Sequence, residues 1–127
     1  MSDVTTRGVR VEVESRYVPE RSVPRENRYF FAYRIRISNH GHEQVQLLSR
    51  HWIITDGDGR TEEVRGPGVV GEQPLLAPGQ SFEYTSFCPL TTPIGSMHGS
   101  YEMQTAAGAR FDALIAPFSL AVPTALN

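Results

Sequence analysis

The sequence predicts an all-β fold, an immunoglobulin-like sandwich of about seven antiparallel strands in two sheets. Three observations lead there. Apolar and polar residues alternate with a period of two in segment after segment, the pattern of strands with one buried face. Clusters of glycine, proline, asparagine and aspartate separate those segments at short intervals. No stretch sustains a helical period. With 127 residues the chain is expected to form one domain over residues 1–127, able to bury roughly two-thirds of its unfolded surface without metals or disulfides.

The elements follow in order. Val9, Val11, Val13, Ser15 and Tyr17 share one face of a first strand, with Arg10, Glu12, Glu14 and Arg16 opposite. Pro19 to Asn27 is polar and carries two prolines, which suits a connection between sheets or a mobile arm. Tyr29 to Asn39 has the strongest pattern: Tyr29, Phe31, Tyr33, Ile35 and Ile37 against Arg34, Arg36 and Ser38. After the turn Asn39-His40-Gly41-His42, a third strand runs from Gln44 to Thr55, and its adjacent Leu47 and Leu48 predict a bulge or a change of buried face. Trp52 in this strand is placed where an immunoglobulin-like sandwich centres its core. Asp56-Gly57-Asp58-Gly59 reads as a hairpin turn, and Arg60 to Arg65 as a short charged edge strand. Ala77-Pro78-Gly79-Gln80 has the signature of a type II turn. Ser81 to Phe87 alternates again, Pro89 and Pro93 bracket a loop, and Met97 to Thr105 is a sixth strand. In it, Tyr101 is read as a tyrosine corner whose hydroxyl bonds upstream backbone. The last strand, Arg110 to Val122, is interrupted by Pro117, which predicts an edge or a bulge.

Bulk properties exclude several functions. The formal charge of −2 and pI of about 6.1 leave no electrostatic footprint for nucleic acid or an anionic membrane. All basic residues are arginine, the type suited to interfaces. The single Cys88 excludes an intrachain disulfide and fits a reducing compartment. The start MSDVTTRGVRV has no apolar signal region, and no run approaches the length of a membrane span. A cytoplasmic protein is expected.

Few residues carry chemistry. Gly66, Gly68 and Gly71 spell G-x-G-x-x-G, the pattern of a loop that cradles pyrophosphate. That loop needs a helix N-terminus behind it to face the phosphate. Pro74, Pro78 and Gly79 follow instead, and a proline inside a helix costs about 3 kcal/mol. The glycines are therefore expected to be loop architecture, and nucleotide binding is not expected. His40 and His42 form an H-x-H, but zinc needs three or four ligands; no metal site and no cofactor is assigned. Asp56 and Asp58 imitate a calcium loop that Arg60 and Pro67 break. Cys88, between Phe87 and Pro89, has no helix N-terminus to activate it and reads as a buried small hydrophobe. No catalytic residue is assigned. What remains is a surface: Phe30, Arg34 and Arg36 face outward together, a mixture enriched at protein interfaces, and an exposed sheet edge can take a partner strand.

Arg50-His51-Trp52-Ile53-Ile54-Thr55-Asp56, then Gly66 to Gly71 with Gln73-Pro74, Ala77-Pro78-Gly79, and Thr92 to Tyr101 stand in an order and spacing that closely resemble the bacterial ApaG family. Val45 to Leu48 and Ile115 to Phe118 extend the resemblance over nearly the whole chain. Phe87-Cys88-Pro89 departs from it, since many relatives carry a small residue after Tyr-Thr-Ser. The resemblance implies a fibronectin type III-like sandwich. It also implies a link to cobalt resistance and magnesium efflux, and kinship with protein-binding domains of F-box proteins and of a polymerase-interacting protein. The family offers no established catalytic residues to carry over. The expected function is a non-enzymatic protein–protein interaction module with an unidentified protein partner and no nucleic-acid or membrane partner. The alternatives are pyrophosphate or nucleotide binding through Gly66, Gly68 and Gly71, and divalent-metal homeostasis through His40 and His42.

Overall fold

The computed structural model describes residues 1–126. Strands β1 (Ser2–Thr6), β2 (Val9–Tyr17), β3 (Tyr29–Asn39) and, much later in the chain, β7 (Ser81–Leu90) form a four-stranded antiparallel sheet in the order β1-β2-β3-β7. Strands β4 (Val45–Asp56), β5 (Thr61–Pro67), β8 (Ile94–Thr105) and β9 (Arg110–Ala121) form the second, in the order β5-β4-β8-β9, with the two-residue β6 (Leu75–Leu76) pairing the start of β4. The helical elements among the described residues are single 3₁₀ turns at Pro19–Arg21, Pro24–Glu26 and Pro123–Leu126. Among the described residues no helix is long and apolar enough to cross a membrane.

The sandwich is the one the alternation predicts, and its differences from the expected strands have local causes. β1 was not expected, because Val4 is its lone apolar residue of any size; it forms by folding back on β2 through a turn at Arg7 and Gly8. β7 continues through Pro89 to Leu90 instead of stopping at Phe87. It is the last strand of its sheet, and a proline in an edge strand forfeits no ladder bond on the open side. The expected bulge is present, with the β4–β8 register shifting between Leu47 and Ser49. A second irregularity sets Ala116 and Pro117 between the pairs Met97–Phe118 and Gly99–Ile115, so Pro117 lies at a bulge in a strand that ends its sheet.

Alternation decides the core. Val9, Val11 and Val13 from β2 and Phe31, Ile35 and Ile37 from β3 meet Leu47, Met103, Ile115 and Leu120 from the facing sheet. Trp52 sits in the middle, 3% exposed. Its ring takes Tyr33 at 5.4 Å, Tyr101 at 6.3 Å and Phe118 at 5.9 Å, each edge-on, the arrangement aromatic quadrupoles favour. Opposite Trp52 in the ladder is Gly99, where a Cβ would fall 1.9 Å from the His51 carbonyl oxygen. Only glycine lets β8 approach β4 so closely.

The tyrosine-corner expectation for Tyr101 fails. The side chain is fully buried, as expected of a folding residue, but its hydroxyl pairs with the Tyr84 hydroxyl across the two sheets instead of with upstream backbone. Tyr101 lies mid-strand with its ring in the core, out of reach of a corner loop.

The two long sides of the sandwich differ. On one, β9 packs against β1 and β2; there Ser15 Oγ donates to the Ser119 carbonyl at 2.7 Å, and the Leu114 N–H donates to Thr6 Oγ1 at 3.2 Å. On the other, β5 and β7 make no comparable contact, and a cleft opens between the sheets.

Two substitutions test this core. Trp52→Ala should lower unfolding free energy by about 3–5 kcal/mol, measured by urea denaturation. Gly99→Ala should cost at least about 2 kcal/mol, because backbone and not a flexible side chain opposes the new methyl. Near-wild-type midpoints for either would show that the inter-sheet packing is not organised around this position.

Candidate functional site

Backbone accounting explains the glycine-rich segment. β5 pairs with β4 from Ser49 to Thr55, and β6 pairs with Val45 and Gln46, which leaves Leu47 and Leu48 without a strand on that side. The segment from Gly68 to Pro74 fills the gap. The Gly68 N–H donates to the Leu48 carbonyl at 2.8 Å, Gln73 Nε2 donates to the same carbonyl at 2.9 Å, and the Leu47 N–H donates to the Pro74 carbonyl at 3.0 Å. Val69 and Glu72 exchange both backbone bonds at 2.8 and 2.9 Å, closing a tight turn whose central residues, Val70 and Gly71, have φ of 43° and 81°.

Each glycine of the motif thus has a local reason. At Gly66 a Cβ would lie 2.8 Å from Arg50 Nη2, so the bare backbone is the seat of a guanidinium. At Gly68, φ is 58° and a Cβ would fall 2.2 Å from the Glu72 carbonyl oxygen. Gly71 needs only its positive φ. The strand before the motif is present as β5; the segment after it runs to β6, not to a helix. A helix-backed phosphate cradle is therefore not the geometry of Gly66, Gly68 and Gly71. The amides of Gly68, Val69 and Glu72 already donate to chain carbonyls.

Arg50 is the residue that links this loop to the cleft. Its Nη1 donates to the Pro67 carbonyl at 2.9 Å and the Gly68 carbonyl at 3.0 Å. Among the described residues no carboxylate lies within 4.0 Å of it. The cleft it borders has a volume of about 430 Å³, within the range of small-molecule sites. Trp52, Ile54 and Val64 line one wall; Tyr33, Tyr84 and Ser86 line the other; Val69 and Val70 lie at the Arg50 end. Burial pushes the phenols of Tyr33, Tyr84 and Tyr101 up, so all three are protonated near neutral pH and can donate. Sequence reasoning passed over this cleft because its residues come from five separate strands and a turn. The signal was Arg50 itself, an arginine in phase with Trp52 on the inward face of β4.

The other singled-out residues fall apart in space. His40 and His42 lie in the exposed β3–β4 connection, and His51 bonds Glu63 at 3.0 Å on the outer face of the second sheet. Among the described residues no three histidine, cysteine, aspartate or glutamate side chains group to hold a metal ion. Cys88 is buried, and burial pushes its thiol up to about 11. Phe30, by contrast, does gain company. It stacks on Phe87 at 5.4 Å, and Arg21 lies over both rings, 4.2 Å from the first and 5.4 Å from the second.

Two outcomes are expected. Gly68→Ala should destabilise the protein by more than Gly71→Ala, which should cost about 1–2 kcal/mol, because only position 68 adds a backbone clash; equal losses would refute the packing account. Cys88 alkylation in the folded protein at pH 8 should be much slower than in urea. Its raised value also means the unfolded chain gives up the thiol proton first, so stability should fall as pH rises from about 9 towards 11. Prompt labelling of the folded thiol at pH 8 would contradict its burial.

Comparison with known proteins agrees with this frame. A family model described as the ApaG domain matches residues 19–105. Protein ApaG of Pseudomonas paraeruginosa is 60% identical over 127 residues, covering 100% of both chains. Protein ApaG of Methylorubrum populi is 60% identical over 123 residues, covering 97% of this chain and 95% of its own. The crystal structure of the ApaA protein of Bordetella pertussis superposes with a TM-score of 0.89 at 57% identity, covering 91% of this chain and 94% of that one. Family model, full-length identity and superposed sandwich coincide on the same residues, and the chain belongs to the ApaG family.

Proposed function

We propose that this protein is a non-catalytic protein-interaction module of the cytoplasm whose docking surface is the outer face of the first sheet around Phe30, Phe87 and Arg21. The observation that carries the reading is the stacked pair under one guanidinium. Phe87 is 47% exposed although it stacks on Phe30. An aromatic pair fixed by an arginine is the composition of binding hot spots.

Its surroundings set it off. Several other charges on this face are paired: Arg34 with Glu83 at 2.5 Å, Arg36 with Glu83 at 3.6 Å and Arg10 with Asp3 at 2.6 Å. β7, which carries Phe87, ends the sheet, and its open edge is suited to a partner strand. The opposite edge strand β5 is guarded by Glu62, Glu63 and Arg65. A net charge of −2 favours a protein partner over nucleic acid or an anionic membrane. The free, buried Cys88 fits a reducing compartment. The pyrophosphate reading of Gly66, Gly68 and Gly71 has less support, because the loop amides of Gly68, Val69 and Glu72 already have partners. Metal homeostasis through His40 and His42 has only two candidate ligands in its favour.

A photo-crosslinking residue placed at Phe87 in cells should give one discrete adduct, and the same residue at exposed Asp112 on β9 should not. Excess wild-type protein should compete the adduct away, while Phe87→Ser should fail to compete. That variant should lose far less stability than the roughly 3 kcal/mol of a core aromatic truncation. Identical adducts from both positions, or full competition by Phe87→Ser, would sink the assignment.

A further inference from the structure

We infer that the cleft between β5 and β7 binds an apolar carboxylate, with its anionic group on Arg50 and its hydrocarbon body against Trp52. The inference does not rest on the outer-face surface: Arg50, Trp52, Ile54, Tyr33 and Tyr84 project from the inner faces, and Phe87 at the rim borders both.

The inner-face register arranges the cleft. Arg50, Trp52 and Ile54 follow one another on β4, and their partners on β5 are Gly66, Val64 and Glu62. Four residues of strand span roughly 13 Å, so the cleft is a slot with a cation at one end and a carboxylate at the other. Trp52, Val64 and Ile54 make the stretch between them apolar. An anion is favoured only at the Arg50 end, and Glu62 turns it away from the other.

The groups at the Arg50 end are donors. Nη1 is anchored on two backbone carbonyls, which fixes the guanidinium without neutralising it. With Tyr101 fully buried, its hydroxyl has Tyr84 as partner, and donation from Tyr101 leaves the Tyr84 proton for a group in the cleft. Tyr33 lines the same wall with its phenol protonated. A guanidinium and two phenols call for an acceptor-only group, and a carboxylate accepts from an arginine in a matching planar geometry. The indole and aliphatic walls select an aryl or alkyl body over a sugar or a nucleotide. The Gly66–Glu72 loop then has a role in recognition: it holds the arginine.

The test uses 3-phenylpropionate and its uncharged amide on the full chain, followed by amide and indole N–H shifts. The acid should give saturable shifts at the Trp52 indole and at Tyr84 to Ser86, and the amide should bind at least about tenfold more weakly. Arg50→Gln should abolish the preference for the acid. Tyr33→Phe, which keeps the shape of the wall, should weaken the acid several-fold and leave the amide unchanged. Should Arg50→Gln unfold the loop, the acid–amide comparison on the unaltered chain still decides. No saturable response at millimolar acid, or equal affinity for acid and amide, would overturn the inference. So would shifts at Gly68 to Glu72 with inorganic pyrophosphate and none with the acid.

Discussion

Trp52 stands between the two sheets with Tyr33 from one layer and Tyr101 and Phe118 from the other set edge-on around it. A side chain this large can sit at the centre of a sandwich only if its neighbours make room. Gly99, its ladder partner, does so by having no Cβ, which brings β8 within close backbone reach of β4. The bulge at Pro117 then carries Phe118 of β9 onto the same ring. Sheet spacing, the approach of β8 and the irregular path of β9 are three consequences of one buried indole.

Two polar residues do for the loops what Trp52 does for the core. Asn39, 1% exposed, donates from Nδ2 to the Glu43 and Leu76 carbonyls and accepts the Gly41 N–H at Oδ1, each at 2.9 Å. It joins the β3–β4 connection to β6 at one end of the sandwich. Arg50 joins β4 to the Pro67–Gly68 backbone. Both satisfy carbonyls that no strand reaches, and a buried carbonyl left without a donor costs about 1–3 kcal/mol. The glycine motif belongs to this accounting: its residues are small or left-handed where a guanidinium, a carbonyl or a turn demands it.

The asymmetry of the sandwich separates structure from function. One long side is sealed by β9 against β1 and β2. The other is held apart, and there the inner faces offer a charged and aromatic slot while the outer rim of β7 offers Phe87. Sealing both sides would add buried area. The open side leaves Arg50 and Tyr84 partly exposed, and both proposed binding surfaces border it.

Period-two alternation, turn chemistry and the placement of Trp52 determined the all-β class, nearly every strand and the burial of Cys88, because these depend on neighbours in sequence. The same reading recognised that the glycines lacked a helix to serve. It missed β1, which has too few apolar residues to announce itself, and the two-residue β6, which is too short to show alternation; both exist only because a partner strand offers bonds. It gave Tyr101 a backbone partner when the available partner was Tyr84, a residue of the other sheet. Arg50 looked like one more arginine in a strand, and Phe87 like the end of one. Their meaning came from contacts between residues many positions apart, the seat at Gly66 and the stack on Phe30. Alternation tells which way a side chain points; only the packed sheets decide what it meets.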